Sequence, residues 1–154
     1  MIFGVSPTKN AVVIAQTAGA AETFVIKSIT SVHFQAGSGA DLADLLRRLV
    51  VIFGPGAKGR RSTIALLASS SGRFKSSVEA IKAEAITELA AAERGVTVVR
   101  VTAASLKKAL GCAASEKWQV RAQERFNPAG RHKNWSRGAA GAAAAAFKVA
   151  ERPT

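Results

Sequence analysis

Cysteine occurs once in this 154-residue chain, as Cys112, histidine occurs twice and tyrosine not at all. A single cysteine excludes an internal disulfide framework, and one cysteine with two histidines cannot build a Cys/His zinc site. A reducing compartment is the expected setting. Long hydrophobic runs are missing as well: the longest small-residue run is alanine, too weakly apolar for a membrane span, and the start lacks the charged and apolar segments of a secretory leader. A cytoplasmic protein with no membrane partner is expected. No Ser/His/Asp or Cys/His arrangement can be read. His33, between Val32 and Phe34, reads as structural, His132 has no neighbouring carboxylate to orient it as a base, and Cys112 reads as a packed small hydrophobe. Acids are the remaining shortage, 10 Asp and Glu against 22 Lys and Arg, for a formal charge of +12.

The charge is unevenly placed. Residues 1–55 are almost neutral, with Lys9, Lys27, Arg47 and Arg48 facing Glu22, Asp41 and Asp44. The remainder carries +11 in two concentrations: Lys58 to Lys75, five basic residues and no acid, and Lys107 to Arg137, eight basic residues and two acids. Such clustering suits a polyanion, because each phosphate neutralised releases condensed counterions. Nucleic acid is the expected partner; a merely solvated basic surface is the alternative. No basic amphipathic helix with a strong apolar face argues for an acidic membrane.

Short apolar and β-branched runs predict three strands, Ile2 to Val5, Ala11 to Gln16 and Thr23 to Lys27, separated by Pro7, Asn10 and Gly19. Their connections are too short for crossovers, so they form an antiparallel meander. Asp41 to Arg48 has helical spacing, and the continuous run Val50 to Phe53 is expected to be a strand buried on both faces. Ile64 to Leu67 is ambiguous. Val78 to Arg94 is the clearest helix, with Ser76 and Glu79 at capping-box spacing, an apolar stripe of Val78, Ile81, Ala85 and Leu89, and Gly95 as its stop. Val96 to Val101 is a fifth strand. Helices follow over Ser105 to Leu110, about Ser115 to Phe126, and about Gly138 to Ala150, the last dominated by alanine. The order predicts one α/β domain over residues 1–154, a five-stranded mixed sheet with antiparallel strands 1–3 and parallel strands 4–5, flanked by helices.

Three basic segments are candidates for phosphate. Gly54-Pro55-Gly56-Ala57-Lys58-Gly59-Arg60-Arg61 nearly spells a P-loop, but Arg60 stands where the lysine belongs and Arg61 where the magnesium-binding hydroxyl belongs. Those glycines serve better to bring Lys58, Arg60 and Arg61 against a nucleic-acid phosphate. Lys117, Arg121 and Arg125 share one helical face, with Trp118, Ala122 and Phe126 on the neighbouring, inward face. In Arg131-His132-Lys133-Asn134-Trp135-Ser136-Arg137, Trp135 has two readings: stacking on an unpaired base, worth about 1–3 kcal/mol, or covering the edge of the core.

The order of elements, together with local motifs, resembles the RNase H-like superfamily and in particular the RuvC-type Holliday-junction resolvases. Phe3-Gly4-Val5-Ser6-Pro7 is similar to that family's first strand, where an apolar-Gly-apolar run ends in Asp-Pro. Ser105-Leu106-Lys107-Lys108-Ala109-Leu110-Gly111, then Ser115-Glu116-Lys117-Trp118-Gln119-Val120, is similar to its Lys-Lys element, glycine turn and Asp-Lys-x-x-Val helix start. Gly138-Ala139-Ala140-Gly141-Ala142 resembles its Asp-Ala-x-Asp-Ala helix. The resemblance spans nearly the whole chain.

It implies a nuclease scaffold in which acids hold two divalent metals, and DNA rather than RNA as the partner. In this sequence Ser6 replaces the first-strand acid, Phe53 or Gly54 the acid ending the fourth strand, and Gly138 and Gly141 the acids of the last helix. Hard divalent ions need oxygen ligands, so neither metal nor other cofactor is expected. Lys107 and Lys117 match lysines that approach the scissile phosphate in the resolvases and carry over as phosphate contacts. The leading expectation is a catalytically degenerate resolvase-like protein whose basic cleft binds nucleic acid without hydrolysis, with a homodimer by family analogy. One alternative is a metal-dependent nuclease using non-standard carboxylates such as Glu84. The other is an interaction module for an acidic protein.

Overall fold

The computed structural model describes residues 1–54, 62–68, 77–130, 132, 135 and 137–151. Strands β1 (Ile2–Pro7), β2 (Ala11–Ala18) and β3 (Val25–His33) form the antiparallel meander, and β4 (Thr63–Leu67) and β5 (Thr97–Val101) extend it in parallel to give the order β3-β2-β1-β4-β5. The turn after β1 is closed by Thr8, whose amide donates to the Ala11 carbonyl and whose Oγ1 accepts from the Ala11 amide at 3.0 Å. The third strand begins and ends later than its β-branched opening suggests, because Ala21–Thr23 curls into a short 3-10 turn.

One expectation is overturned. Val50 to Phe53 is not a strand but the last turn of helix α1 (Gly39–Phe53), which Ser38 caps by accepting from the Asp41 amide at 3.2 Å. An unbroken apolar run has no polar residue to set its period, so helix and strand look alike in it. Helical spacing resolves it here: Leu45, Leu49 and Phe53 recur every four residues and are buried, while Val51 faces solvent. The fourth strand is instead Thr63–Leu67, pairing Val5 with Leu66 on one side and Leu67 with Val101 on the other.

Helix α2 (Val78–Arg94) has the predicted bounds, though Ser77 is its cap, accepting from the Ala80 amide at 3.1 Å, and Gly95 ends it in the left-handed region at φ 65°. Its inward face is a surprise. Ala80, Ala83, Glu84, Thr87, Ala90 and Ala91 are buried, whereas Val78, Ile81 and Leu89 are 64%, 50% and 47% exposed. Small side chains let α2 settle close against α1, and the more hydrophobic stripe is left outside.

Two layers cover the sheet. On one face Leu45, Leu49 and Phe53 of α1 and the alanines of α2 pack against Phe3, Val5, Val12, Ile14, Ile64 and Leu66, with the Phe3 and Phe53 rings 5.5 Å apart edge to face. On the other face lie α3 (Ala103–Ala109), α4 (Trp118–Phe126) and α5 (Arg137–Ala150), over Ala65, Val101, Val13 and Ala15. Alternation along β1 separates the two: Phe3 and Val5 point to α1, Gly4 and Ser6 to α5. Helix α5 lies directly on β1. A Cβ at Gly4 would fall inside the Ala142 carbonyl, so backbone touches backbone there, and the alanine run of α5 supplies the flat surface this requires.

Candidate functional site

Because β1 and β4 are parallel, their carboxyl ends open at the same edge, where α/β folds place ligands. Ser6 and Leu67 stand there side by side. Above them, α5 brings Gly141 so close that a Cβ on it would lie 2.9 Å from Ser6 Oγ and 2.9 Å from Leu67 Cδ2. One turn earlier Gly138 sits over Thr8 and Val13, the latter being the register partner of Ser6. Three sequence-predicted positions, Ser6, Gly138 and Gly141, therefore do gather at one place.

Gly54 does not join them. It caps α1, donating its amide to the Val50 carbonyl at φ 44°, and Phe53 beside it is buried against the α1 layer. The position at the end of the fourth strand is Leu67, which sequence reasoning missed because the strand itself was placed one element too early.

These residues do not fit a pair of divalent ions. Ser6 offers one hydroxyl, Leu67 fills the space with methyl groups, and neither glycine brings a side-chain oxygen. Among the described residues no group of three or more His, Cys, Asp or Glu is arranged to hold a metal. Glu84 is no substitute. It is buried on α2, on the α1 side of the sheet, where Arg100 Nη1 of β5 donates to its Oε1 at 2.5 Å and Arg100 Nη2 reaches Glu88 Oε1 at 2.5 Å. Burial works against the charged form of Arg100, but the hydrogen bonds to Glu88 and Glu84 and their negative charge prevail and hold its pKa above the ordinary value. The pair is a structural clamp between α2 and β5, separated from Ser6 by the sheet.

Beside Ser6 and Gly141 runs a groove of about 810 Å³ lined by Lys107, Lys117, Trp118, Gln119, Val120, Gln123, Trp135 and Ala140. It joins α3, α4 and the approach to α5, with Ala140 as the link to the Gly138–Gly141 turn. Lys107 and Lys117 meet no carboxylate among the described residues. Lys107 is placed by α3, whose N-terminus is fixed by a reciprocal pair: Thr102 Oγ1 accepts from the Ser105 amide and Ser105 Oγ from the Thr102 amide, both at 3.2 Å. Lys117 is the residue before α4, held where Trp118 and Ala122 bury inward as their spacing predicts.

The cationic stripe on α4 is broken up. Arg121 is hydrogen-bonded to Glu116, and Arg125 lies 4.3 Å above the Phe147 ring, so Lys117 alone of the three keeps its charge unengaged. The Arg121 hydrogen bond, aided by the Ala113 amide, holds the Glu116 carboxyl below its ordinary range, and the same contact raises Arg121.

Trp135 is half-buried and packs on Ala139 and Ala140 of α5 through both clusters of that face, so it covers the core edge while one side lines the groove. Asn127 sets its loop: the buried side chain accepts from the His132 amide at 2.8 Å, and the Trp135 amide donates to the His132 carbonyl at 3.2 Å. Asn127-Pro128 was a visible turn signal, but its anchoring role depends on burial that sequence does not show. Arg137 opens α5. Lys58, Arg60, Arg61, Arg131 and Lys133 lie outside the described residues.

Among solved structures the fold is similar to Thermus thermophilus RuvC in complex with Holliday junction substrate, with a TM-score of 0.72, 17% identity, and coverage of 96% of this chain and 90% of that one. A second T. thermophilus RuvC structure gives 0.68 and 16% identity at the same coverage. No protein-family model and no curated protein sequence matches the chain. The RuvC-like, RNase H-like architecture is thus shared in fold. No helix of the described residues is long and apolar enough to cross a membrane.

Proposed function

We propose that the chain is one resolvase-like domain that binds nucleic acid, DNA in preference to RNA, along the groove of Lys107, Lys117 and Trp135, and that it leaves phosphodiester bonds intact. The observation carrying this reading is the contrast at the carboxyl ends of β1 and β4. Ser6, Leu67, Gly138 and Gly141 occupy the place where a resolvase needs acids, while two unneutralised lysines survive a turn away. A neighbour of the same fold holds a Holliday junction, which supports DNA as the class of ligand. Lys58, Arg60, Arg61, Arg131, Lys133 and Arg137 extend the basic surface in this reading.

Binding proceeds without a reaction. Lys107 and Lys117 take two backbone phosphates, displacing counterions, and Trp135 offers its ring to an unstacked base. With no carboxylate at Ser6 or Gly141 there is nothing to orient or deprotonate an attacking water. The test is a labelled four-way junction incubated with the protein and magnesium or manganese: a retarded complex whose strands run intact on a denaturing gel is expected. Metal-dependent cleavage that survives Glu84→Gln would overturn the non-hydrolytic reading.

A symmetric junction invites a symmetric protein, and the stripe of Val78, Ile81 and Leu89 on α2 supports a homodimer closing over it. Ile81→Lys is expected to convert the sedimenting species from dimer to monomer without loss of helical signal. A monomer in the unaltered protein refutes this part.

A further inference from the structure

Two primary amides, Gln119 and Gln123, stand one turn apart on α4 and line the same groove as Lys107, Lys117 and Trp135. Residues four apart on a helix share a face, with Cβ atoms about 5–6 Å apart. Neither side-chain amide is bonded to any group among the described residues, whereas the other polar side chains of α4, Arg121 and Arg125, are engaged with Glu116 and Phe147. Both carboxamides are left unengaged beside two unpaired cations and an indole ring.

From that set we infer that Gln119 and Gln123 read the edge of an unpaired purine base, adenine by preference, whose flanking phosphates rest on Lys107 and Lys117. This inference rests on the nucleic-acid reading above and adds base selectivity to it. The chemistry divides cleanly. Lysines see any phosphate and carry no sequence information, and a ring stacks on any base. A carboxamide, with donor and acceptor side by side, matches the N6 donor and N7 acceptor of adenine, and it cannot make the same pair of bonds to thymine or cytosine. The groove is concave and its aromatic wall needs an exposed base face, which a stacked duplex withholds, so the base is unpaired. Its volume of about 810 Å³ lies within the usual range of roughly 300–1,000 Å³ for small-ligand sites, enough for a nucleotide.

The test uses fluorescence anisotropy with labelled single strands of thymidine, with and without a short central run of adenosine, at one salt concentration. The adenosine-bearing strand is expected to bind roughly 5- to 100-fold more tightly. Gln119→Ala with Gln123→Ala should bring the two strands within about twofold of each other while leaving the salt dependence intact, and Lys107→Ala with Lys117→Ala should weaken both strands equally and lower the salt slope by about two. Far-UV circular dichroism confirms that each variant is folded. Equal affinity for the two strands in the unaltered protein, or a preference that persists without the glutamines, overturns base reading while leaving nucleic-acid binding in place. Absence of any strand binding overturns both. Free AMP should not displace the strand at equal concentration; if it does, the site is one for free nucleotides and the assignment to a strand is wrong.

Discussion

The two faces of the sheet are built by opposite means. Toward α1 and α2 the core is made of large side chains, Phe3, Leu45, Leu49, Phe53, Ile64 and Leu66, and the charges at its margin are neutralised where they stand: Arg100 by Glu84 and Glu88, and Arg48 by Asp44 at 3.1 Å. Toward α5 the contact is alanine and glycine on Gly4, Ser6 and Ala65, and the nearby lysines are left without partners. Chemistry that a resolvase needs would occupy the second face, yet the acids able to supply it sit on the first, already consumed by an arginine. Stability is concentrated on one side and ligand-facing charge on the other.

Substitutions that probe the two faces should act in opposite directions of size. Phe53→Ala removes a ring from the α1 core and is expected to cost about 3–5 kcal/mol, read as a shift in the urea midpoint. On the other face addition does the damage. Gly4→Ala places a methyl group against the Ala142 backbone, which cannot yield as a side chain would, so a loss of about 1–3 kcal/mol is expected. If Gly4→Ala proved neutral while Phe53→Ala unfolded the protein, the direct seating of α5 on β1 would be wrong. Arg100→Ala leaves the buried Glu84 without its guanidinium partner and should destabilise by about 1–3 kcal/mol in the same assay, with nucleic-acid binding unaffected because the clamp lies across the sheet from the groove.

The smallest expected effect is pH-dependent. Arg121 holds Glu116 below its ordinary value of 4.5. A carboxyl that is more acidic folded than unfolded contributes stability above the unfolded value and loses it as pH falls through the folded one. Glu116→Gln should therefore narrow the stability gap between neutral pH and acid slightly, visible only by comparing midpoints on either side of pH 4.5. A widened gap would reverse the sign.

What sequence could reveal follows the same division. The meander, the bounds of α2 and the alanine helix were legible because turn residues, serine caps and Gly95 punctuate them. Ser6, Gly138 and Gly141 were legible as a set because a family motif fixes their spacing, and the structure gathers them. Leu67 was not. Its place beside Ser6 follows from the parallel register of β1 and β4, and that register was hidden by the Leu49-Val50-Val51-Ile52-Phe53 run, whose unbroken hydrophobicity read as a buried strand. Likewise the stripe Val78, Ile81, Ala85 and Leu89 looked like core, since hydrophobicity cannot say which of two apolar faces turns inward. The alanine face did, because it packs closer. Lys107, Lys117 and Trp135, distant in sequence, were nominated separately and are brought to one groove by the fold.

The central claim is that the positive groove on the α5 face holds a polyanion through Lys107 and Lys117. Its most direct test is the affinity for a labelled four-way junction measured across roughly 50 to 200 mM salt. Affinity should fall steeply and log-linearly with salt, and the slope should flatten by about two when both lysines become alanine. An affinity indifferent to salt, or a slope unchanged in that double variant, would contradict it.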